Sequence, residues 1–330
     1  MLVNCYFLFK LFSIVFSNFS PTQIEALSES SLYFTTISCI RSSNSVYYSL
    51  NQITIQKCTD MSEKIAILGA GNIGTAIATG LVNSGKYDAS SIALTRRRIM
   101  MLEPFKEKGF YVTKSNEEAI KRSEVIILAV EPSQIKDLLK QIESFLNPEK
   151  HLVISVISGV EIAYMKSILG DKINVVRAMP NTAIAIGESM TCICTDNGNT
   201  EILDTATEIF NTVGKTVSIL EEQMTAATAL CACGIAFFLR SIRAASQGGI
   251  EIGFHAHEAL KMASQTAKGA ASLLADKDNH PEFEIDRVTT PRGCTIAGLN
   301  EMEHSGFSSA MIKGILHSAK KAATLHSDKD

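Results

Sequence analysis

Residues 288–303, VTTPRGCTIAGLNEME, hold the densest chemistry in this sequence. Two threonines, a proline, an arginine and a glycine precede what reads as a short amphipathic helix. A helix start leaves backbone N–H groups without intrahelical partners. The positive end of the helix dipole sits at the same place, so such a start can bind a carboxylate. Gly293 permits close backbone approach. Thr290, Cys294 and Thr295 can present N–H groups, and the threonine hydroxyls can both donate and accept. Ile296, Leu299 and Met302 fall on one face and are expected to be buried. The segment is therefore expected to be an anion seat on a rigid mounting.

A second stretch, 64–85, is KIAILGAGNIGTAIATGLVNSG. A short apolar run at 64–68 is followed by Gly69-Ala70-Gly71-Asn72-Ile73-Gly74. Ile73, Ile77, Ala78 and Leu81 then recur at helical spacing, and Gly85 marks the stop. Between a strand and a helix these glycines have a mechanism. Gly69 allows a tight turn, Gly71 lets the backbone approach a pyrophosphate, and Gly74 lets helix and strand pack closely. The alternative is a glycine-rich turn in an unrelated α/β domain.

Cofactor choice is read at the end of the second expected strand, 91–95. It closes on Thr95-Arg96-Arg97-Arg98, with no acid until Glu103. An acid there commonly accepts from the ribose hydroxyls of NAD, whereas arginine can grip a 2′-phosphate. NADP(H) is the expected cofactor, with NAD(H) a weaker second. Arg96 carries this expectation more than Arg97 or Arg98, and a solvated charge run is the alternative. The 129–135 loop, with Ala129, Val130 and Pro132, is expected to cross the cofactor, with Pro132 as the first helical residue. Asn181 either bonds the nicotinamide end of the cofactor or its ribose, or makes an ordinary Pro-Asn turn. The sequence leaves that choice open.

Elements must position these residues. Runs at 91–95, 110–112, 124–130, 151–156 and 173–179 read as strands, with helical patterns between most of them. The fold class is α/β, a Rossmann-type parallel sheet over 61–220. From about 220 the strand signal vanishes, and an all-helical region, 221–330, is expected. Its long patterns are rich in small residues and apolar on more than one face, which predicts deep burial and a partner subunit. Residues 1–60 carry few charges and no sustained period. The stretch at 8–20 could pass for the apolar part of a signal peptide, but no basic residue precedes it until Lys10 and no small-x-small site follows. Three readings stand: a true start at Met61, a disordered or targeting extension, or, least supported, a folded domain.

Composition narrows the classes. The chain has 330 residues, 46% hydrophobic and 20% charged, which is globular. A net charge of -3 gives no reason to expect a nucleic-acid or anionic-membrane partner. No run of about 18 uninterrupted apolar residues occurs, so no transmembrane helix is expected. Eight cysteines show no disulfide framework, which suits reduced thiols in a cytoplasmic protein. Cys231 and Cys233 on a helix would point about 200° apart. Cys192 and Cys194 would share a strand face but lack a His or Cys cluster, and His255-x-His257 has no supporting motif. No metal site is expected.

Residues 280–303, HPEFEIDRVTTPRGCTIAGLNEME, resemble the signature region of pyrroline-5-carboxylate reductases. So do ILGAGNIG (67–74), LAVEP (128–132), RAMPNT (177–182) and CGIAF (233–237), in one order from about Lys64 to about Leu325. The resemblance implies NADPH-dependent reduction of 1-pyrroline-5-carboxylate to L-proline, the last step of proline biosynthesis. It implies that 69–74, Asn116 and the 129–132 loop hold the cofactor. Thr290, Gly293, Cys294 and Thr295 would hold the cyclic imine carboxylate, with Thr295 bonding the ring nitrogen. It also implies a helical dimerisation domain, hence a homodimer or an assembly of dimers. Three departures stand out. Arg292 replaces a glycine, and it is strained if that position needs positive φ; it otherwise adds a second grip on the carboxylate or faces solvent, the last being the expectation. Cys231-Ala232-Cys233-Gly234-Ile235 replaces Ser-Gly-Ser-Gly-Pro, and Glu131 replaces a lysine. A β-hydroxyacid dehydrogenase, with Lys261 or Lys268 as its acid, is the rival enzyme. A non-catalytic NADP-sensing protein is the rival of another class.

Overall fold

A strand whose every residue is apolar must be covered on both faces. β1 (Ile65–Leu68) is IAIL, and all four residues are buried. In this computed structural model, residues 40–42, 45–47, 63–196, 198–275 and 279–324 are described. The chain divides into two units, 1–59 and 60–330. In the first, Ile40–Ser42 and Ser45–Tyr47 pair antiparallel. Three-residue strands are too short to leave a period in sequence. The signal-like stretch at 8–20 and Met61 lie outside the described residues.

In the second unit, β1 joins β2 (Ile92–Thr95), β3 (Tyr111–Thr113), β4 (Val125–Leu128), β5 (Leu152–Ser155) and β6 (Asn174–Met179) in a parallel sheet. β7 (Ser189–Thr195) runs antiparallel to β6, and β8 (Gly214–Ser218) lies parallel to β7. The order is β8-β7-β6-β5-β4-β1-β2-β3. Period-2 alternation sends Ile65 and Ile67 to one face, with Ile77 and Leu81 of α1 (Asn72–Asn83) and Ile209 and Phe210 of α6 (Thr200–Asn211). Ala66 and Leu68 meet the other face. There they pack with Ile120 of α3 (Asn116–Lys121), Leu139 of α4 (Ile135–Ile142) and Met165 of α5 (Ile162–Leu169). The short α2 (Glu103–Glu107) lies between β2 and β3. The sequence reading missed β8 because GKTVS is largely exposed and carries no apolar run. The chain leaves β1 toward β2 and later returns to its other side at β4. The sheet's switch point is therefore at the carboxyl end of β1, where ligands bind in such sheets.

The helical region holds α7 (Met224–Ala227), a π turn (Thr228–Cys233), α8 (Gly234–Glu251), α9 (Ala256–Ala275), α10 (Pro281–Val288), α11 (Cys294–His304) and α12 (Phe307–Thr324). α8 packs against α9, and α12 against the π turn and α7. Deep burial is not what a single chain gives. In α8 only Gly234 and Ser246 are buried, and in α11 no residue is. Ile296 and Leu299 are half-buried and Met302 is exposed. One chain supplies no second layer for these faces. The segment Glu221–Glu251 is long and apolar enough to cross a membrane by length and composition. Arg240 and Arg243 interrupt it, so it holds no uninterrupted apolar run of that length.

Arg177 ties the two regions together. It is buried on β6, and its Nη1 donates to Oε1 of Glu221 at 2.8 Å. The same oxygen accepts from the Ile162 N–H at 2.8 Å. Removing one member of a buried pair leaves an uncompensated charge. Glu221→Ala is expected to destabilise the fold by about 2–3 kcal/mol, lowering the urea midpoint; an unchanged midpoint contradicts the tether.

Candidate functional site

The loop after β1 is built by contacts a side chain would forbid. Gly69 has φ +94°, and a Cβ there would lie 2.5 Å from Val130 Cγ1 and 2.9 Å from the Ala129 carbonyl. The loop therefore presses on the loop after β4. Gly74 needs the same freedom, since its Cβ would lie 2.9 Å from the Gly69 oxygen and 3.1 Å from Ile67. Gly71 differs: nothing comes closer than 4.0 Å to the Cβ it lacks, so its open face faces free space. It forms the N-cap of α1, and no side chain caps that helix. The N–H groups of Asn72, Ile73 and Gly74 form the bare first turn of α1.

A chain of hydrogen bonds fixes this edge. The Gly69 and Ala70 N–H groups donate to the Thr95 carbonyl at 3.2 and 2.8 Å. Thr95 Oγ1 donates to Asn116 Oδ1 at 2.7 Å, and Asn116 Nδ2 donates to Gln141 Oε1 at 3.0 Å. Arg96 is half-buried and its Nη1 donates to the Ala70 carbonyl at 3.2 Å, while Arg97 and Arg98 are exposed. Thus Gly69, Ala70, Gly71, Asn72, Ile73, Gly74, Arg96, Asn116, Ala129 and Val130 gather at the carboxyl edge of the sheet. Pro132 opens a 3-10 turn, Pro132–Gln134, and α4 starts only at Ile135. Asn181 has both side-chain ends engaged. Its Oδ1 accepts from the Ala183 N–H at 3.0 Å and its Nδ2 donates to the Cys231 carbonyl at 3.3 Å. It caps its own turn and joins the sheet edge to the π turn.

At 290–293 the chain makes a β-turn, with the Gly293 N–H donating to the Thr290 carbonyl at 2.9 Å. Pro291 and Arg292 are the central residues, and Arg292 has φ +61°. Proline followed by a positive φ is a type II turn, whose third position favours glycine. Arginine therefore sits in strained backbone, and its side chain is exposed, as expected of it from sequence. Gly293 is fixed by space: a Cβ would lie 2.5 Å from Thr290 Oγ1. It is the N-cap of α11, again with no side-chain cap. Thr295 is half-buried, and Thr290 and Cys294 are exposed. α11 packs on α12, and no sheet element makes an extensive contact with it. No extensive contact joins α11 to α1, the helix that follows the glycine loop. Lys261 and Lys268 are both exposed on α9.

Sequence reasoning missed Thr95 and Gln141, whose roles depend on pairing across strands. It noted the C-x-C pairs but not that Cys192 and Cys231 meet, with their sulfurs 3.8 Å apart. The Cys192 thiol hydrogen bond draws Cys231 down to about 7. The same bond, then burial, pushes Cys192 up, and burial raises Cys194 to about 11. A cleft lined by Glu63, Glu124, Lys150 and Asn174 lies at the amino ends of the strands, away from this edge. Among the described residues no group of three or more His, Cys, Asp or Glu side chains could hold a metal.

The chain is similar to known proteins. A family profile described as pyrroline-5-carboxylate reductase dimerisation matches residues 221–325, and one described as NADP oxidoreductase, coenzyme F420-dependent, matches 64–159. The chain is 51% identical to pyrroline-5-carboxylate reductase 1 of Dictyostelium discoideum over 80% of its own length and 50% of that protein's. It is 48% identical to pyrroline-5-carboxylate reductase 2 of the same organism over 79% of its length and 93% of the relative's. A solved structure of Plasmodium falciparum pyrroline carboxylate reductase with NADP bound is similar with a TM-score of 0.72. The two are 25% identical, over 80% of this chain and 98% of that one.

The type II turn yields a prediction. Left-handed backbone costs a non-glycine residue about 1–2 kcal/mol, while glycine adds about 0.5–1 kcal/mol of unfolded-state freedom. Arg292→Gly is expected to raise the melting temperature by about 1–3 °C. A lower melting temperature would mean that the guanidinium holds something the turn requires.

Proposed function

We infer that this chain reduces 1-pyrroline-5-carboxylate to L-proline with NADPH, from the premise that the chain belongs to the pyrroline-5-carboxylate reductase family. The observation that carries the reading is the pair of helix starts, α1 at Gly71 and α11 at Gly293, that no side chain caps. One fits a pyrophosphate and the other a carboxylate. The glycine cradle, with open space over Gly71, accommodates the dinucleotide. NADPH, when bound, supplies a hydride. Arg96 supports the choice of NADPH over NADH, because its guanidinium keeps N–H groups beyond the one on Ala70, and no acid ends β2.

The residues of the seat orient more than they activate. The N–H groups of Cys294 and Thr295 bond the carboxylate, while that of Gly293 closes the turn on the Thr290 carbonyl. The Thr295 hydroxyl bonds the ring nitrogen and holds a proton there as the C=N bond is reduced. A held geometry of this kind lowers a barrier by several kcal/mol. The substrate needs no nucleophile, since a protonated imine carbon is already electrophilic. The protein works as a homodimer or an assembly of dimers. Leu230, Phe238, Leu239, Leu260, Ile312 and Leu316 are each at least half exposed in the single chain, and exposed apolar surface of this kind marks an interface. A second copy covers these faces and brings a seat to a cofactor edge. The free thiols among the described residues support a cytoplasmic location.

The test is oxidation of NADPH by the full chain with pyrroline-5-carboxylate, repeated with NADH. Substrate-dependent turnover that prefers NADPH is expected. No turnover overturns the reading, and preference for NADH overturns the role of Arg96. Thr295→Ala is expected to lower kcat about ten- to a hundredfold, the effect of losing a hydrogen bond to a charged group. NADPH affinity, measured by fluorescence, stays unchanged. Unaltered kcat removes Thr295 from the chemistry.

A further inference from the structure

Two thiols that the reduction does not use face each other where the sheet meets the helical region. Cys192 is buried on β7, and Cys231 is half-buried in the π turn; both are free. Their sulfurs are 3.8 Å apart in hydrogen-bond contact. The Cys231 carbonyl also accepts from Asn181 Nδ2, next to the cofactor edge. The pair is set by geometry: of the two C-x-C motifs, one cysteine of each meets the other motif.

We propose that Cys192 and Cys231 form a redox pair that a peroxide closes to an intrachain disulfide, and that closure slows reduction by shifting the π turn that Asn181 holds through the Cys231 carbonyl. Cys231 is the more exposed sulfur. Either thiol can donate across this contact; with Cys192 as the donor, the thiolate is favoured at Cys231 and disfavoured at Cys192. The Cys231 thiolate attacks hydrogen peroxide: an S–O bond forms, the O–O bond breaks, and the departing hydroxide takes a proton to become water. The resulting sulfenic acid lies against Cys192. Its sulfur attacks: the S–S bond forms, the S–O bond breaks, and the leaving hydroxide takes the Cys192 proton. Two thiols lose two electrons and one peroxide becomes two waters. The sulfurs must close to about 2 Å. β7 is held between β6 and β8, so the π turn makes most of the movement.

The effect on turnover rests on the reductase reading; the chemistry of the pair does not. The reduced full chain is treated with hydrogen peroxide, alkylated, digested and mapped by mass spectrometry. A joined peptide carrying Cys192 and Cys231 is expected, released by dithiothreitol. NADPH-dependent turnover is expected to fall several-fold and recover with the same reductant. Cys192→Ala is expected to turn over normally when reduced and to lose both the joined peptide and the reversible inhibition. If both thiols remain alkylatable, or Cys231 becomes a sulfinic acid beside a free Cys192, the pair is overturned. A joined peptide with unchanged turnover overturns the control of activity. If the chain reduces no imine, or the variant does not fold, the peptide map of the unaltered chain still decides the pair.

Discussion

Backbone that must touch backbone leaves no room for a Cβ, and that constraint shapes this protein more than any polar contact. Gly69 lies where a Cβ would strike the Ala129 carbonyl, and Gly293 lies where one would strike Thr290. Each contact leads directly into a helix whose first turn no side chain caps. The first places α1 over the switch point of the sheet. The second places α11 behind a type II turn. The hydrogen bonds from Thr95 to Asn116 and from Arg96 to Ala70 then hold in place an edge that sterics have already drawn.

The sheet was legible because its central strands are buried on both faces. IAIL and VIIL can hardly be anything but buried strands between helices. β8 was not, because an exposed edge strand such as GKTVS shows no apolar run. The glycine loop and the helix start at 293–295 were legible because glycine spacing and helix starts are local signals. The engagement of Asn181 with Cys231 was not, because its partner stands fifty positions away in sequence. Arg292 lies between these cases. Pro-Arg-Gly announces a turn, but only φ +61° shows that the arginine occupies a glycine's conformation.

The helical region shows how a correct pattern can mislead about burial. Its apolar faces predict a core, yet within one chain most of α8, α9, α11 and α12 is exposed. The pattern suits the shared core proposed above, and a dimerisation profile matches residues 221–325. The same reasoning accounts for Glu221–Glu251, whose apolarity would otherwise suit a membrane. Arg177 and Glu221 anchor the start of that segment to the sheet, so the helical region is mounted on the sheet domain.

The central claim is that the bare helix start at 293–295 seats the substrate carboxylate. A crystal structure of the full chain with L-proline and NADP+ tests it most directly. The account predicts the carboxylate oxygens within hydrogen-bond distance of the Cys294 and Thr295 N–H groups, with the ring nitrogen on the Thr295 hydroxyl. A proline carboxylate held by other residues, with the first turn of α11 left to solvent, would contradict it.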